Sequence, residues 1–393
     1  MLNRCCCPQK KLLREKFQVL VLTNYRQDKQ HSMLRFGNLL TKEFKEEPKL
    51  ELEEIYPKSL FFGITPSQKL KKWAAYIDKY LIFPQTLKNR LSKHSEPIDL
   101  VHIIDHSNAP YLKVADPFIN IKKIITCHDL IAIRTARGEF DRAPMTSITG
   151  KHLQKLIYKS LLYSDHYPCD SYKTQEDLNQ LFPSSRSRSS VIHLSTENAS
   201  RKKFFRPVLG TIPFDPTKNF YLLHVGSSAW YKNRKGVILA FRHLCEQNLS
   251  PNAKLVLVGP RPNHDELGVK LFGWLERNQT SLCILEDLPE ASLHILYKHA
   301  NALIFPSYIE GFGWPPLEAA IRKCPVITSK TGAIYDLLGD YAHYVDPTDQ
   351  ESINQSVVDI LRSKQQVSQS ISLPDHHHCR EEYHKLYTQM LKV

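Results

Sequence analysis

The amino-acid sequence predicts an α/β protein whose strands form parallel sheets. Short, almost wholly apolar runs occur at residues 17–23, 220–225 and 253–259. Such runs are typical of strands that are buried on both faces, as in parallel sheets. They alternate with longer stretches in which apolar residues recur at helical spacing, and this alternation favours an α/β architecture.

The first half of the chain opens as strand, loop and helix, which is the arrangement of a nucleotide-binding unit. Residues 131–149 have little periodicity and predict a mobile loop on the acceptor side. The residues 50–62 are predicted to end in a short strand, and residues 68–92 to form two helices interrupted by Pro84. The other predicted elements are strands at 17–23, 99–104, 123–126 and 191–194, and helices at 33–44, 153–163 and 172–182, the last capped by Ser171.

The second half repeats the alternation after a stretch rich in proline and glycine. We predict strands at 220–225, 253–259, 282–285, 303–305 and 325–328, and helices at 237–244, 290–299, from Pro315 onward, at 351–362 and at 378–393. The predicted limits are a disordered basic leader at 1–15, an N-terminal domain at 16–205, a linker at 206–218, a C-terminal domain at 219–370 and a final helical segment at 371–393.

The segment from 302 to 329 carries the most informative pattern. A short apolar strand is followed by Glu310-Gly311-Phe312-Gly313, where two glycines let the backbone approach a ligand closely. Pro315-Pro316 then suits the first turn of a helix, whose N-terminus is a natural phosphate site. Glu318 falls near this first turn, so two carboxylates border one ligand at the carboxyl ends of the strands.

A single glutamate in such a place is usually solvated or complements the helix dipole. Two glutamates around these glycines and prolines favour a ligand site instead. The pattern Glu310-x7-Glu318 within this segment resembles the motif of retaining glycosyltransferases of family 4. The resemblance extends from about residue 221 to 349, and more loosely along most of the chain.

The resemblance implies the GT-B fold. This fold has two Rossmann-like domains with parallel sheets facing a central cleft, and a C-terminal helix that crosses back to the N-terminal domain. The sugar nucleotide would bind mainly to the C-terminal domain and the acceptor to the N-terminal one. The implied activity is retaining transfer of a hexose, such as mannose or glucose, from a GDP- or UDP-sugar to a glycan or lipid-linked acceptor.

The resemblance also implies roles for individual residues. The implied catalytic residues are Glu310, His128 and Lys232. Residues expected on the donor side are Gly226, Lys232, Arg234, Leu288, Gly311, Phe312, Gly313, Leu317 and Glu318, and Arg26 and Gln27 are expected on the acceptor side. Glu310 would align sugar hydroxyls, Glu318 would hold the ribose, and Lys232 would neutralise the diphosphate.

The chain departs from the family pattern at three places. The loop after the first strand lacks glycine, Ser227 stands where the family often has arginine, and Ser195-Thr196 replaces the usual Gly-Val-Asp type of sequence. These departures keep open a non-catalytic subunit of a glycosyltransferase complex. A sugar-nucleotide 2-epimerase also stays open, whereas a phosphorylase would need a pyridoxal lysine for which the sequence offers no context.

We expect no cofactor and no metal ion, because the chain contains no Asp-x-Asp motif for a metal-bridged diphosphate. The net charge of +13 favours anionic partners, but no nucleic-acid-binding motif is present, so we expect no nucleic acid. Lys71, Lys72 and Lys79 beside Trp73, Tyr76 and Tyr80 form either a membrane-facing surface or an ordinary packed helix.

The start of the chain has no apolar stretch of a secretory signal, and no run approaches the ~20 apolar residues of a membrane span. The sequence therefore predicts a cytoplasmic protein, with peripheral binding to the inner face of the membrane as an open alternative. Six of the nine cysteines are scattered along the chain and are expected to be reduced thiols. Cys5-Cys6-Cys7 belongs either to a disordered tail or to an acylation site.

Overall fold

The computed structural model describes residues 16–44, 47–196, 211–250, 252–363, 371 and 373–392. The predicted Cys-rich leader and part of the predicted linker lie outside these residues. The described chain divides into two compact units. The first unit holds the residues up to Thr126, Ser160–His166 and those from His384 onward, and the second holds Cys127–Lys159 and the residues from Tyr167 to Tyr383.

The first unit is built on a parallel sheet. Its strands are β1 (Phe17–Leu22), β2 (Leu50–Ile55), β3 (Leu100–Ile103) and β4 (Lys122–Ile125). They pair in the order β2-β1-β3-β4, all parallel. Its helices are α1 (His31–Glu43), α2 (Phe61–Ile64), α3 (Gln68–Ile77), α4 (Phe83–Leu91) and α5 (Leu112–Ala115), with a π-helical turn at Asp78–Ile82.

The second unit begins with helices α6 (Ile131–Ala136), α7 (Ile148–Leu161) and α8 (Tyr172–Leu181), and with the parallel strand pair β5 (Tyr167–Cys169) and β6 (Ser189–Val191). Its larger sheet contains β7 (Tyr221–Val225), β8 (Lys254–Val258), β9 (Leu282–Leu285), β10 (Ala302–Phe305), β11 (Val326–Thr328) and β12 (His343–Tyr344). The helices that accompany this sheet are α9 (Arg234–Glu246), α10 (His264–Leu267), α11 (Val269–Arg277), α12 (Glu290–His299), α13 (Trp314–Ile321), α14 (Ile334–Leu338) and α15 (Gln350–Ser363). The last helix, α16 (His376–Leu391), is divided between the two units.

The core of the second unit lies between this sheet and the helices on its face. Phe241 of α9 and Leu255 and Ile304 of the sheet are completely buried. Helix α15 packs against α9 and closes the same core with Ile353 and Val357. Burying one such side chain stabilises the fold by about 1.5–3 kcal/mol, which explains why the wholly apolar runs locate these strands in the sequence.

The order of the larger sheet is β12-β11-β10-β7-β8-β9, and all its pairs are parallel. From β7 the chain proceeds to β8 on one side, whereas from β10 it proceeds to β11 on the other. The strand order therefore reverses between β7 and β10. In open parallel sheets, ligands bind at the carboxyl ends of the strands at such a reversal, because the loops diverge there and leave a crevice.

The prediction of a mobile loop over residues 131–149 is wrong for its two ends. Helix α6 occupies Ile131–Ala136, and α7 already begins at Ile148. Asp129 Oδ1 accepts a hydrogen bond from the Ile131 backbone N–H at 3.0 Å, and Ile133 is buried. Helix α6 is only six residues long, so the sequence shows no helical periodicity there. Its helical conformation is determined by packing.

Strand β2 lies at the beginning of the charged stretch 50–62, not at its end as predicted. Among the described strands it pairs with β1 alone and forms an edge of the sheet, where charged side chains are tolerated because one side faces solvent. Residues 68–92 do contain two helices, as predicted, but they are separated by the π-helical turn at Asp78–Ile82, and Pro84 follows this turn at the start of α4.

Other differences are shifts of element ends. Strand β6 ends at Val191, where the sequence predicts a strand over 191–194, and α9 begins at Arg234 rather than at residue 237. The final helix α16 starts at His376, and its residues from His384 onward belong to the first unit, as the predicted crossing back requires. Within that unit, the Tyr387 hydroxyl lies 2.6 Å from His102 Nδ1.

The division into two units does not test the predicted domain limits, which stay predictions. None of the helices that the structure describes is both long enough and apolar enough to cross a membrane.

Candidate active site

The predicted loop around Glu310 joins β10 to α13. Strand β10 ends at Phe305, and α13 begins at Trp314 after Gly313, which has a φ of 88°. Between them, the Glu310 backbone N–H donates to the hydroxyl of Thr331 at 3.1 Å. This bond connects the loop to the residues that follow β11 and so holds Glu310 at the carboxyl end of β10. Glu310 is only 7% exposed there.

Lys232 reaches the same place from the neighbouring strand. The loop after β7 carries it, and its Nζ lies 2.8 Å from Glu310 Oε1 and 3.0 Å from Oε2. The lysine side chain is 15% exposed and the glutamate side chain 6%. The structure thus joins two predicted catalytic residues in one nearly buried ion pair, at the reversal of strand order in the sheet.

His128 is the third predicted catalytic residue, and a carboxylate orients it. Its Nδ1 lies 3.1 Å from Asp170 Oδ2, and both side chains are buried. The Thr174 hydroxyl donates to the His128 carbonyl at 3.1 Å and lies 3.3 Å from Asp170 Oδ1. Burial raises the pKa of the Asp170 carboxyl, and the hydrogen bond to His128 acts in the opposite direction.

Sequence reasoning missed Asp170 as a site residue. It follows β5 directly and precedes Ser171, which caps α8 by accepting a hydrogen bond from the Thr174 N–H. A carboxylate between a strand and a helix cap was the available signal, because side chains at the carboxyl ends of parallel strands gather at one edge. Its partner became visible only in the structure.

Gly311 brings the Glu310 loop against the backbone of His128. A Cβ at Gly311 would lie 1.7 Å from the His128 carbonyl oxygen and 3.2 Å from Asp129 Cβ. The sequence assigned this glycine to a close approach of a ligand. The structure shows that the protein's own backbone already requires it.

Replacing Gly311 with alanine is expected to destabilise the second unit by about 3 kcal/mol, since the new methyl group meets a backbone atom that cannot rotate away. Urea unfolding would measure the change. Gly273, inside helix α11, is the matched control because its added Cβ would touch only the end of Arg277, at 3.4 Å. If Gly311→Ala were as stable as Gly273→Ala, the close contact would be refuted.

Arg234 has partners of its own. Its guanidinium contacts both carboxylate oxygens of Glu266 and the carbonyl oxygen of Pro260, and the residue is 2% exposed. Its predicted role in donor binding beside Lys232 therefore stays a prediction. A donor phosphate would compete with Glu266 for the Arg234 guanidinium. Gly226 lies at the start of the same loop, half-buried, and its backbone is in close contact with Gly259.

The remaining predicted donor-side residues belong to the second unit. Leu317 and Glu318 lie on α13 and are buried. Burial, and next the Glu318 carboxylate nearby, raise the pKa of the Tyr297 phenol. Phe312 is 5% exposed, and Leu288, after β9, is half-buried. Their contacts with a donor stay predictions.

The predicted acceptor-side residues belong to the first unit. The Arg26 guanidinium lies over the Tyr56 ring, 4.0 Å from its centroid, and Gln27 Nε2 lies 3.5 Å from the Ser59 hydroxyl. More buried polar groups follow β1 and β3, the strands between which this sheet reverses. Asn24 donates to Asp105 at 2.6 Å, a contact that the sequence reasoning did not anticipate.

His224 is a buried group beneath the Lys232 loop. Its Nδ1 donates to the Ile304 carbonyl at 2.9 Å, whereas Nε2 has no partner among the residues that the structure describes. Burial, opposed by the hydrogen bond to Ile304 and assisted by the nearby charges of Arg234 and Lys232, lowers the pKa of His224 to about 4. His224 is therefore neutral at pH 7.

This histidine is expected to make the protein less stable in acid. An unfolded chain titrates His224 near pH 6.5, so between this value and about 4 the unfolded state binds more protons. The free energy of unfolding should fall as the pH is lowered through this window, by up to about 3 kcal/mol from this group. Urea unfolding at pH 7 and pH 4.5 would measure it.

His224→Asn is the matched variant, because its amide can still donate to Ile304 but does not titrate. The fall in stability from pH 7 to pH 4.5 should be smaller in this variant than in the wild type. Equal falls would show that His224 does not titrate in this window.

No group of three or more His, Cys, Asp or Glu side chains is arranged to hold a metal ion within the ranges that the structure describes.

Comparison with known proteins gives a family match for part of the chain. Residues 212–373 match the family model "Glycosyl transferases group 1". This segment contains both Lys232 and Glu310.

Curated relatives resemble the chain over different lengths. An O-antigen chain mannosyltransferase, RfbU, of Salmonella typhimurium is 26% identical over 300 residues, which cover 74% of this chain and 80% of that protein. O-antigen chain mannosyltransferase B of Escherichia coli is 30% identical over 144 residues, which cover only 36% of this chain and 37% of that protein.

Solved structures resemble the fold along almost the whole chain. Sucrose-phosphate synthase from Thermosynechococcus elongatus has a TM-score of 0.67 at 15% identity and covers 96% of this chain and 100% of its own. The catalytic domain of starch synthase IV from Arabidopsis thaliana has a TM-score of 0.65 at 13% identity, covering 97% and 100%. These likenesses confirm the predicted GT-B fold, and residues 212–373 resemble the group 1 glycosyltransferases.

Proposed function

We propose that this chain transfers a mannosyl residue from a nucleoside-diphosphate sugar to an envelope glycan or its lipid-linked precursor, with retention of anomeric configuration. The observation that carries the proposal is the Lys232–Glu310 ion pair at the strand reversal of the family domain. The choice of mannose rests on relatives that are named O-antigen chain mannosyltransferases. Glucose remains the other hexose, and GDP and UDP are the two candidate bases.

Lys232 is proposed to bind the diphosphate. Its ammonium group lies at the carboxyl end of β7, and a phosphate oxygen can replace the Glu310 carboxylate as its partner. The N-terminus of α13 adds partial positive charge, and because Pro315 and Pro316 carry no N–H, the backbone donors of its first turn are those of Trp314 and Leu317. Together they would stabilise the negative charge of the leaving diphosphate.

Glu310 is proposed to act at the sugar. Once a diphosphate oxygen replaces Glu310 as the partner of Lys232, the Glu310 carboxylate can accept hydrogen bonds from sugar hydroxyls and favour positive charge at the anomeric carbon. The bond from that carbon to the diphosphate oxygen breaks, the acceptor hydroxyl attacks on the same face, and the hydroxyl proton passes to the diphosphate. No side chain serves as nucleophile, so catalysis consists of positioning and electrostatic stabilisation.

We propose that the reaction needs neither a metal ion nor a cofactor, because Lys232 and the helix terminus perform the charge neutralisation that a metal would supply. A lipid-linked acceptor would require the chain to work at a membrane surface, on the cytoplasmic side.

His128, oriented by Asp170, is proposed to contact a hydroxyl of the transferred sugar.

The test is a transfer assay with purified chain, GDP-mannose or UDP-glucose, and a lipid-linked oligosaccharide acceptor, with and without EDTA. The expected result is release of one nucleoside diphosphate together with a product one hexose heavier, unaffected by EDTA, whose new linkage has the donor's anomeric configuration. Conversion of the donor sugar without acceptor would favour the epimerase. Donor binding without any turnover would favour the non-catalytic subunit.

A further inference from the structure

An exposed apolar surface extends over residues 58–73 of the first unit. We call it the 58–73 surface. Its most exposed apolar side chains are Leu60 (52%), Phe61 (41%), Ile64 (79%), Leu70 (57%) and Trp73 (61%). They lie on α2, on α3 and directly before α2, and these two helices pack against each other. Five large apolar side chains gathered on one short segment are unusual for a surface that faces only water.

Hydrogen bonds to a buried side chain fix the position of the 58–73 surface. Asp78, which is 1% exposed, accepts hydrogen bonds from the backbone N–H groups of Phe61 at 2.9 Å and Phe62 at 3.1 Å. The Tyr25 hydroxyl donates to the same carboxylate at 2.9 Å. Because one buried carboxylate anchors the first turn of α2 to the unit, the exposed apolar side chains are presented by a fixed element.

Helix α3 divides into a buried and an exposed side. Ala74, Ala75 and Asp78 face the interior. At about 100° per residue, Lys72 and Trp73 point to the opposite side, and both are exposed. The helix thus presents a lysine and a tryptophan side by side, a pair that suits the boundary between water and lipid.

All charged side chains of the segment that carries the 58–73 surface are positive. Residues 56–77 contain four lysines and no Asp or Glu. Lys58 and Lys72 are exposed, and Lys71 Nζ lies 5.3 Å from the centroid of the Phe62 ring. Lys79, which the sequence analysis grouped with them, is instead paired with Asp28 at 2.8 Å and turned away from solvent.

We propose that the 58–73 surface docks on a lipid bilayer that contains anionic headgroups. The apolar side chains would enter the boundary of the acyl chains, and Lys58 and Lys72 would contact phosphates. The absence of acidic residues from the segment favours this partner over a protein surface, where charges of both signs usually meet. The inference deepens the proposed function, since a docked chain would meet a lipid-linked acceptor at the bilayer surface.

Flotation of the full chain with vesicles tests the proposal. We expect binding to vesicles of phosphatidylcholine and phosphatidylglycerol and much weaker binding to phosphatidylcholine alone. Ile64→Ser/Trp73→Ser should weaken binding at least tenfold. Lys58→Gln/Lys72→Gln should weaken binding to the anionic vesicles by roughly 25-fold, about fivefold per lysine, and leave the weak binding to neutral vesicles unchanged.

Matched controls lie elsewhere on the same unit. Ile119→Ser removes an apolar side chain that is 86% exposed, and Lys88→Gln removes an exposed lysine on α4. Neither should change vesicle binding. Absence of vesicle binding by the wild type, or equal binding by all variants, would overturn the proposal.

Sedimentation analysis separates lipid from a second copy of the chain. If the 58–73 variants abolished self-association and left vesicle binding intact, the surface would be a protein interface and the proposal would fail. Transfer to a short water-soluble acceptor should be unchanged in these variants. Lost vesicle binding with intact soluble transfer would therefore support the surface, while absent transfer in every form would count only against the proposed function.

Discussion

Glu310→Ala is expected to lower kcat by about 10²–10³-fold without weakening the binding of a nucleoside diphosphate. Glu310 is the partner of Lys232 in the structure, at 2.8 Å and 3.0 Å. Removing it takes away the carboxylate that a bound sugar would use and also removes an internal competitor for Lys232. Steady-state kinetics with the donor and calorimetry with GDP and UDP would measure the two effects separately.

Glu246→Ala is the matched control for this prediction. Glu246 ends α9 in the same unit, but its exposed carboxylate pairs with Arg242, at 2.7 Å on the helix surface. Both kinetics and nucleotide binding should be unchanged in that variant. An unchanged kcat in Glu310→Ala would refute the role at the reacting centre, and a large loss of GDP or UDP affinity would show that Glu310 serves donor binding instead.

Lys232→Ala is expected to weaken nucleoside-diphosphate binding by roughly 10- to 100-fold, which corresponds to one lost hydrogen bond to a charged group. Binding of the nucleoside without phosphates should stay the same, because the loss concerns the diphosphate alone. Calorimetry with the diphosphate and with the nucleoside would measure the difference. Equal affinities of wild type and variant for the diphosphate would reject the assignment.

Loss of stability must be separated from loss of binding in this variant. Lys232→Ala leaves the Glu310 carboxylate nearly buried without its partner, and breaking a buried pair from one side costs about 3–5 kcal/mol, less where solvent still reaches the pair. The double variant Lys232→Ala/Glu310→Ala removes both charges and should recover much of the stability. Its diphosphate binding should remain weak.

Local sequence patterns were sufficient where neighbours along the chain decide the structure. The Glu310 loop, the helix that starts around Pro315 and the strand before it all follow from residues within one short segment. Ser171 caps α8 as predicted, because a cap requires only a hydroxyl and the N–H three residues later. The predicted strands at 282–285 and helix at 290–299 agree with β9 and α12.

Local patterns failed where the environment overrides them. Helix α6 is too short to show periodicity and depends on Ile131 and Ile133 being buried. The charged strand β2 depends on its place at a sheet edge. The lysines of α3 looked equivalent in sequence, but Asp28 withdraws Lys79 from the exposed surface while Lys72 remains on it.

For the site, the sequence by itself predicted Lys232, Glu310 and His128 in loops that follow strands, but it did not identify Asp170. Only the tertiary structure decided their partners. Lys232 and Glu310 are 78 residues apart, and His128 and Asp170 are 42 apart. The pairing of β7 with β10 brings Lys232 and Glu310 together, and Gly311 brings the Glu310 loop against the backbone of His128. Charge partners depend on distance in space, which spacing along the chain does not specify.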